Sequence, residues 1–407
     1  MKKKVLALVL AIAMVAALCI GLVACDKTPD FRVGFIMLHG EDSTYDKNFI
    51  DAARQATEEL GLKKNQVIIK TNIPETNACT EAALDLVDQG CDIVFADSFG
   101  HGPFMYEAAK QHPEVQFCHA TGTGAHDNTD VSNLHNAFAS IYEGRYLAGV
   151  AAGAKLNEMI TAGTITAEQA VIGYVGAYTY AEVISGFTSF FLGARSVCPS
   201  ATMKVTYTGT WYGVTEEKTA AENLIKNHGC KLISQHADST GAPSACEENN
   251  TPNVSYNGST ESTGPNTYIV SSRINWVPYF KYMISQVQKG EAIDKDWVGT
   301  LKNGAVEISA LSKNAAAGTQ ELIDAAKTGL ANGTVKVFDT TKFTVSTPVE
   351  GLTVDADKHV TSFTVRNIEV VADGEFKESM VSVQSAPYFS LIIDGITQLN
   401  TNFGKND

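Results

Sequence analysis

The 407-residue chain has no tripeptide repeat and no low-complexity tract, and proline is scarce, with only 11 residues. A collagen-like or largely disordered chain is excluded, because a hydrophobic fraction of 44% is ample for a core. Basic residues are outnumbered 31 to 45, giving a formal charge of −14. No basic stripe follows Lys4, and Lys63-Lys64 is only a pair. Phosphate polymers would be repelled by such a surface, so nucleic acid is excluded as a partner.

Catalytic and cofactor signatures are also missing. Gly122-Thr123-Gly124 lacks the later glycine of a dinucleotide fingerprint, and neither a P-loop nor a Gly-x-Ser-x-Gly elbow occurs. His119, His126 and His135 are close in sequence, but their spacing fits chelation from neither a helix nor a strand. Cysteines 79, 91, 118, 198, 230 and 246 form no CxxC and no zinc-type Cys/His set, and their spacing assigns no disulfide. Nothing here calls for an enzyme, a metal or a cofactor.

What is present begins with Lys2, Lys3 and Lys4, followed by 20 apolar residues from Val5 to Ala24. Leu22-Val23-Ala24-Cys25 closes the run as a lipobox. Small residues suit a peptidase, and the Cys25 thiol is the nucleophile that accepts a diacylglycerol. Residues 1–24 therefore read as a bacterial lipoprotein signal, and 25–30 as a lipidated tether. Cleavage would remove three lysines and no acid, taking the formal charge from −14 to −17. The expected location is the extracytoplasmic face of the cell membrane, held by lipid.

From Phe31 short apolar runs alternate with helical periodicity. Strands are expected at 31–38, 67–69, 91–97 and 115–120, with helices at 46–60, 80–89 and 105–111. The rhythm restarts with helices at 141–155, 181–194 and 215–227 and strands at 171–175, 203–207 and 231–235. Two such blocks predict an α/β protein with two doubly wound parallel-sheet lobes. Residues 31–137 with 273–310 are expected in one lobe, and 138–272 with 311–340 in the other. Beyond Lys336 the pattern turns to β-type alternation, so 341–407 reads as an accessory β-rich segment.

Ligands of doubly wound sheets bind beyond the carboxyl ends of the strands. There the sequence places Tyr45, Ser98, Phe99, His119, Tyr178, Tyr180, Glu182, Trp211, Asp238, Asn275 and Trp276. Aromatic faces with small polar edges suit a flat heterocycle, stacked on a ring and read by carboxylate or amide. Structural roles compete: Phe99 as core or lid, Asp238 as a cap, Trp276 as an anchor, and Glu143 with Arg145 as an ion pair on one helix.

Tyr142–Gly149 (YEGRYLAG), Ile172–Gly176 (IGYVG), Gly193–Val197 (GARSV), Gly209–Tyr212 (GTWY) and Gln235–Ser239 (QHADS) together resemble the basic membrane protein family. These are the purine-nucleoside-receptor-like substrate-binding lipoproteins of ABC transporters. The resemblance runs from about Val33 to Val337. It implies a type I periplasmic-binding-protein fold with a three-crossover hinge and the ligand in the cleft. It also implies an ABC permease as membrane partner, a purine-like small molecule as ligand, and a monomer. Base-stacking aromatics would fall on Phe99 and Trp211, and a polar contact near Asp46 or Asn48. Two departures concern the ribose: Asn257 stands nearest the family's aspartate, and Asn275 follows Ser272 where members carry lysine. A free base, or another flat heterocycle such as a flavin, is then favoured over a nucleoside. A ligand sensor or surface-interaction protein is the alternative reading of the same fold.

Overall fold

A computed structural model describes residues 30–378 and 385–403. The lipobox, Cys25 and most of the tether lie outside them, as do residues 379–384 of the β-rich segment. No described helix is long and apolar enough to cross a membrane.

The N-terminal lobe follows the expected rhythm. Strands β1 (Val33–Ile36), β2 (Val67–Lys70), β3 (Ile93–Ala96), β4 (Gln116–Ala120) and β5 (Leu134–Ala139) alternate with helices α1 (Thr44–Glu59), α2 (Asn77–Asp88), α3 (Gly102–Gln111) and the short α4 (Gly124–Asp127). Ser43 caps α1 by accepting from the Asp46 amide, and Thr76 caps α2 from the Ala78 amide. The chain crosses into the second lobe at Ser140. There α5 (Ile141–Thr161), α6 (Ala181–Val197), α7 (Val214–Lys226) and α8 (Gly241–Glu248) pack on β6 (Val171–Gly176), β7 (Thr202–Tyr207), β8 (Leu232–Gln235), β9 (Asn253–Tyr256) and β10 (Tyr268–Ile274). It returns after β10 to build α9 (Val277–Lys289) and β11 (Asp296–Gly299), then crosses a third time to β12 (Val306–Ile308) and α10 (Thr319–Asn332).

The first sheet has the order β11-β5-β4-β3-β1-β2, and every pair in it is parallel. The second runs β12-β10-β9-β8-β6-β7 and gains a seventh strand, β18 (Ile396–Gln398), parallel to β7. The expected boundaries move accordingly. Residues 306–308 pair antiparallel with β10, so they belong to the second lobe and not the first.

The C-terminal segment is not a separate accessory piece. Its hairpins, β13 (Leu352–Val354) with β14 (Val360–Val365) and β15 (Ile368–Glu369), and β16 (Val371–Ala372) with β17 (Glu375–Phe376), lay Val360, Phe363 and Phe376 into the core of the second lobe, where Phe389 from the irregular stretch after them joins. Alternation alone revealed strands but not this shared core.

Helices α5 and α6 meet backbone to backbone. A Cβ on Gly149 would lie 2.0 Å from the Phe190 carbonyl oxygen, and one on Gly193 would lie 2.0 Å from that of Tyr146. This explains the YEGRYLAG and GARSV segments: glycine is needed at the contact. The three crossovers bond to one another. Ser140 N donates to Gly299 O at 2.7 Å, Asn275 N to Ala305 O at 2.8 Å, and Leu301 N to the Glu143 carboxylate at 2.8 Å. Glu143 therefore serves the hinge and makes no ion pair with Arg145. Arg145 is fully buried, bonded to Ser234 Oγ, Ser255 O, Ser272 Oγ and Tyr174 Oη and lying over the Phe190 and Tyr256 rings.

Candidate functional site

A cavity of about 390 Å³ lies between the lobes, beyond the carboxyl ends of the strands. Leu38, His39, Tyr45, Asp46, Ser98, Phe99 and Thr121 line it from the first lobe, and Glu182, Trp211, His236, Asp238 and Tyr256 from the second. The lobes touch around it. Thr44 donates to Asp238 O from its amide at 3.1 Å and its hydroxyl at 3.0 Å, and Tyr212 donates to Asp42 at 3.2 Å. The described arrangement is thus a closed cleft.

Ring faces gather on one side. Phe99 and Tyr180 lie 5.3 Å apart across the lobes, and Trp211 packs edge-on against Tyr178 at 5.1 Å. Phe99 remains 44% exposed. The expected pair of stacking aromatics is on the wall, with Tyr180 beside both.

Carboxylates and histidines form the polar side. Asp46 accepts from the His39 amide at 2.6 Å and from Ser43 Oγ at 2.6 Å, and lies 3.3 Å from His39 Nδ1. Burial works to raise the Asp46 pKa, but the bonds from His39 and its neighbours offset this and hold it below the usual carboxylate value. The His39 ring is raised in return, chiefly by its bond to Asp46. Asp97, beneath them, is pushed well above the ordinary range by burial and then by the Asp46 charge. Asp46 is the ionised member of the pair, and Asp97 the neutral one. Tyr45 donates to Asp97 O at 2.8 Å, which fixes its ring on the wall.

Across the cleft, Asp238 is held by Asn257, whose amide donates to it at 3.3 Å. Burial first, then the charges of Asp46, Glu217 and Glu182, raise the Asp238 carboxyl well above its usual value. Glu217 binds the amides of Gly213 and Ser239, tying the Trp211 loop to the Asp238 loop, and burial pushes its pKa to about 7. His236 Nε2 lies 2.9 Å from Glu182, and its ring sits 4.5 Å from that of Tyr256. The Tyr256 hydroxyl is buried without a hydrogen-bond partner among the described residues. Thr121 adopts φ 60°, a left-handed conformation that a β-branched residue rarely takes, and such strain concentrates at ligand sites.

Of the residues expected from sequence, Tyr45, Asp46, Ser98, Phe99, Trp211 and Asp238 meet on this wall. His119 lies behind it. Its Nε2 contacts Ser98 O at 2.6 Å, and burial lowers its pKa to about 4, so it shapes the Ser98 loop. Asn257 acts through Asp238. Asn48 donates to Ile274 O, and Asn275 accepts from the Val277 amide while donating to Gly304 O; both therefore serve the hinge. Trp276 is buried in the first lobe, stacked on Phe49 at 4.4 Å. His39 and Tyr256 were not anticipated, although each stands at or just past the carboxyl end of its strand. Glu182, expected at a strand end, also lines the wall, as do Thr121, two residues past His119, and His236 of the QHADS segment. Among the described residues no group of His, Cys, Asp or Glu is arranged to hold a metal ion.

Residues 34–339 match the family model described as ABC transporter substrate-binding protein, PnrA-like. A purine-binding protein of Brucella abortus is 29% identical over 303 residues, covering 73% of this chain and 80% of that protein. A putative ABC transporter glucose-binding protein of Haloferax volcanii is also 29% identical, over 292 residues, covering 71% of this chain and 69% of the relative. The crystal structure of an ABC solute-binding protein from Aeropyrum pernix shares the fold with a TM-score of 0.62 at 18% identity, over 79% of this chain and 94% of that one. With two parallel-sheet lobes, three crossovers and a closed interlobe cavity, the chain belongs to the PnrA-like family of ABC transporter substrate-binding proteins.

Proposed function

We propose that the protein captures a purine base, or a closely related flat heterocycle, by closing its lobes, and presents it to the permease of an ABC importer. The observation that carries this reading is the composition of the cavity wall. Aromatic rings stand opposite buried carboxyls, and no Lys or Arg is among the lining residues. A nucleobase offers a face to stack and N–H donors for Asp46, Asp238 or Glu182. A phosphate or carboxylate would meet the carboxyl groups of Asp46 and Glu182 with no Lys or Arg to offset them. The purine-binding relative supports the same ligand class. The glucose-binding name of the second relative makes a sugar the competing ligand, and sugar hydroxyls also donate to carboxylates.

Lipidation of Cys25 would hold this receptor at the membrane as a monomer on its outer face. Substitution Cys25→Ser should release it into the soluble fraction. Calorimetric titration with adenine, hypoxanthine, adenosine, riboflavin and glucose tests the ligand reading. Binding of a purine at micromolar levels, with quenching of Trp211 fluorescence, is the expected result. Binding of glucose with no purine response overturns it.

A further inference from the structure

Outside the inner cavity lies a second chamber, of about 1,170 Å³ including the space open to solvent. The two share Phe99, Thr121, Glu182 and Trp211, so they adjoin across these side chains. The outer wall is made by Val365, Arg366, Ala386, Pro387, Tyr388 and Ser390. All six lie beyond residue 339, where the family match ends. The chamber is therefore a property of this chain's C-terminal segment.

That wall is built and held in place. Its backing is the core of the second lobe, through Phe363, Phe376 and Phe389. Its far edge reaches the first lobe. Ser385 donates to the buried Asp296 from its amide at 3.1 Å and its hydroxyl at 2.9 Å. The Arg366 guanidinium spans to Asp127 at 3.1 and 3.4 Å. Arg366 and Asn367 form the tip of the β14–β15 hairpin, both with positive φ (48° and 63°), a conformation unfavourable for arginine. The strained tip holds the arginine at the cleft mouth.

We propose that this chamber is a second subsite, which takes an uncharged, ring-bearing appendage on the flat head bound in the inner cavity. The proposal rests on the purine reading of that cavity. Phe99 supplies the independent observation. It is the one lining residue of both chambers that ranks among the exposed large hydrophobics of the described chain, and it stands where the two adjoin. The surrounding faces of Tyr180, Val365, Ala386, Pro387 and Tyr388 are aromatic or aliphatic. Arg366 is paired with Asp127, so an anionic tail would have to compete with that carboxylate. An inner head alone leaves the Phe99 face wet; a ring appended to it covers that face and excludes water.

The test is titration of adenine, adenosine and N6-benzyladenine against the full chain and against Ser390→Trp, which fills the chamber from its outer wall. Should that variant fold poorly, as judged by its melting curve, Thr123→Trp fills the same chamber from the first lobe. At least one appended ligand should bind tenfold or more tightly than adenine. The filling variant should erase that advantage while leaving adenine within twofold of its original Kd. Adenine binding with no gain for either appended ligand overturns the subsite alone. So does equal weakening of all three ligands by the tryptophan. No binding of any of the three overturns the purine reading and the subsite with it.

Discussion

Replacing Gly149 with alanine sets two opposing effects against each other. Alanine is the better helix former, and in an exposed helix interior the exchange stabilises by about 1 kcal/mol. Here the new Cβ would sit 2.0 Å from the Phe190 carbonyl oxygen and 3.0 Å from the Ala194 amide nitrogen. The obstacle is backbone, which cannot swing aside as a side-chain tip would. Even to reach 3.0 Å from that oxygen, α5 and α6 must separate by about 1 Å, and side chains along both helices lose contact. Overpacking of this kind costs about 1–3 kcal/mol, and a backbone obstacle puts it at the upper end. The net effect of Gly149→Ala is a loss of about 2 kcal/mol, or a melting point lower by about 4–8 °C for a unit of this size. Because α6 carries Glu182 in its first turn, the ligand Kd should rise as well. Urea and thermal unfolding followed by circular dichroism read the first effect, and calorimetry the second. A variant melting at or above the parent protein would refute the close helix approach.

Three further outcomes follow from the electrostatics. Burial raises Glu378 to about 8, so the folded chain keeps a proton that the unfolded chain releases above its ordinary pKa. Stability contributed by this residue therefore falls as pH rises from about 4.5 towards 8, by up to about 5 kcal/mol; Glu378→Gln should flatten that slope, and parallel urea midpoints for both proteins between pH 5 and 8 would contradict it. Burial raises the Asp238 carboxyl well above its usual range, and a ligand N–H donated to it favours the ionised form, so binding should release a proton; binding enthalpies measured in buffers of different ionisation heat should then diverge, Asp238→Asn should remove the divergence, and identical enthalpies in the parent protein would rule out ionisation of Asp238 on binding. The Arg366–Asp127 pair is 43% and 48% exposed, so a double-mutant cycle with alanine at both positions should give a coupling below about 1 kcal/mol; a larger value would mean that the pair is desolvated in solution.

The two-lobe organisation was legible because most strands and helices carry clean periodicity, and because strand ends mark the cleft without any knowledge of contacts. Strand β5 was hidden because His135 and Asn136 interrupt an otherwise apolar run; both side chains find partners within the lobe. Tyr45, Phe99, Trp211 and Asp238 were reachable as strand-end residues. His39 was not, because its value lies in its bond to Asp46, seven residues on, which depends on how α1 is aimed. Trp276 showed the opposite failure. Its position after a strand suggested the cleft, but the start of α9 turns the indole into the core against Phe49 and Phe280. Asn275 and Asn48 were drawn to the hinge by backbone carbonyls, which no side-chain pattern reveals. The integration of the C-terminal segment was equally invisible, since a register between residues 203–205 and 396–398 leaves no local trace.

That last pairing has a consequence for how the molecule is made. The second lobe's sheet is closed on one side by residues that leave the ribosome almost 200 positions after the strand they protect. Until they arrive, β7 presents an open edge with buried Met203 and Val205 on it, and the aromatic cluster around Phe338 lacks Phe376 and Phe389. Such an edge is a template for association with another chain. The boundary of the family match is therefore a poor place to truncate this protein: a chain ending at 339 keeps every residue that the family model matches and forfeits a wall of its own core.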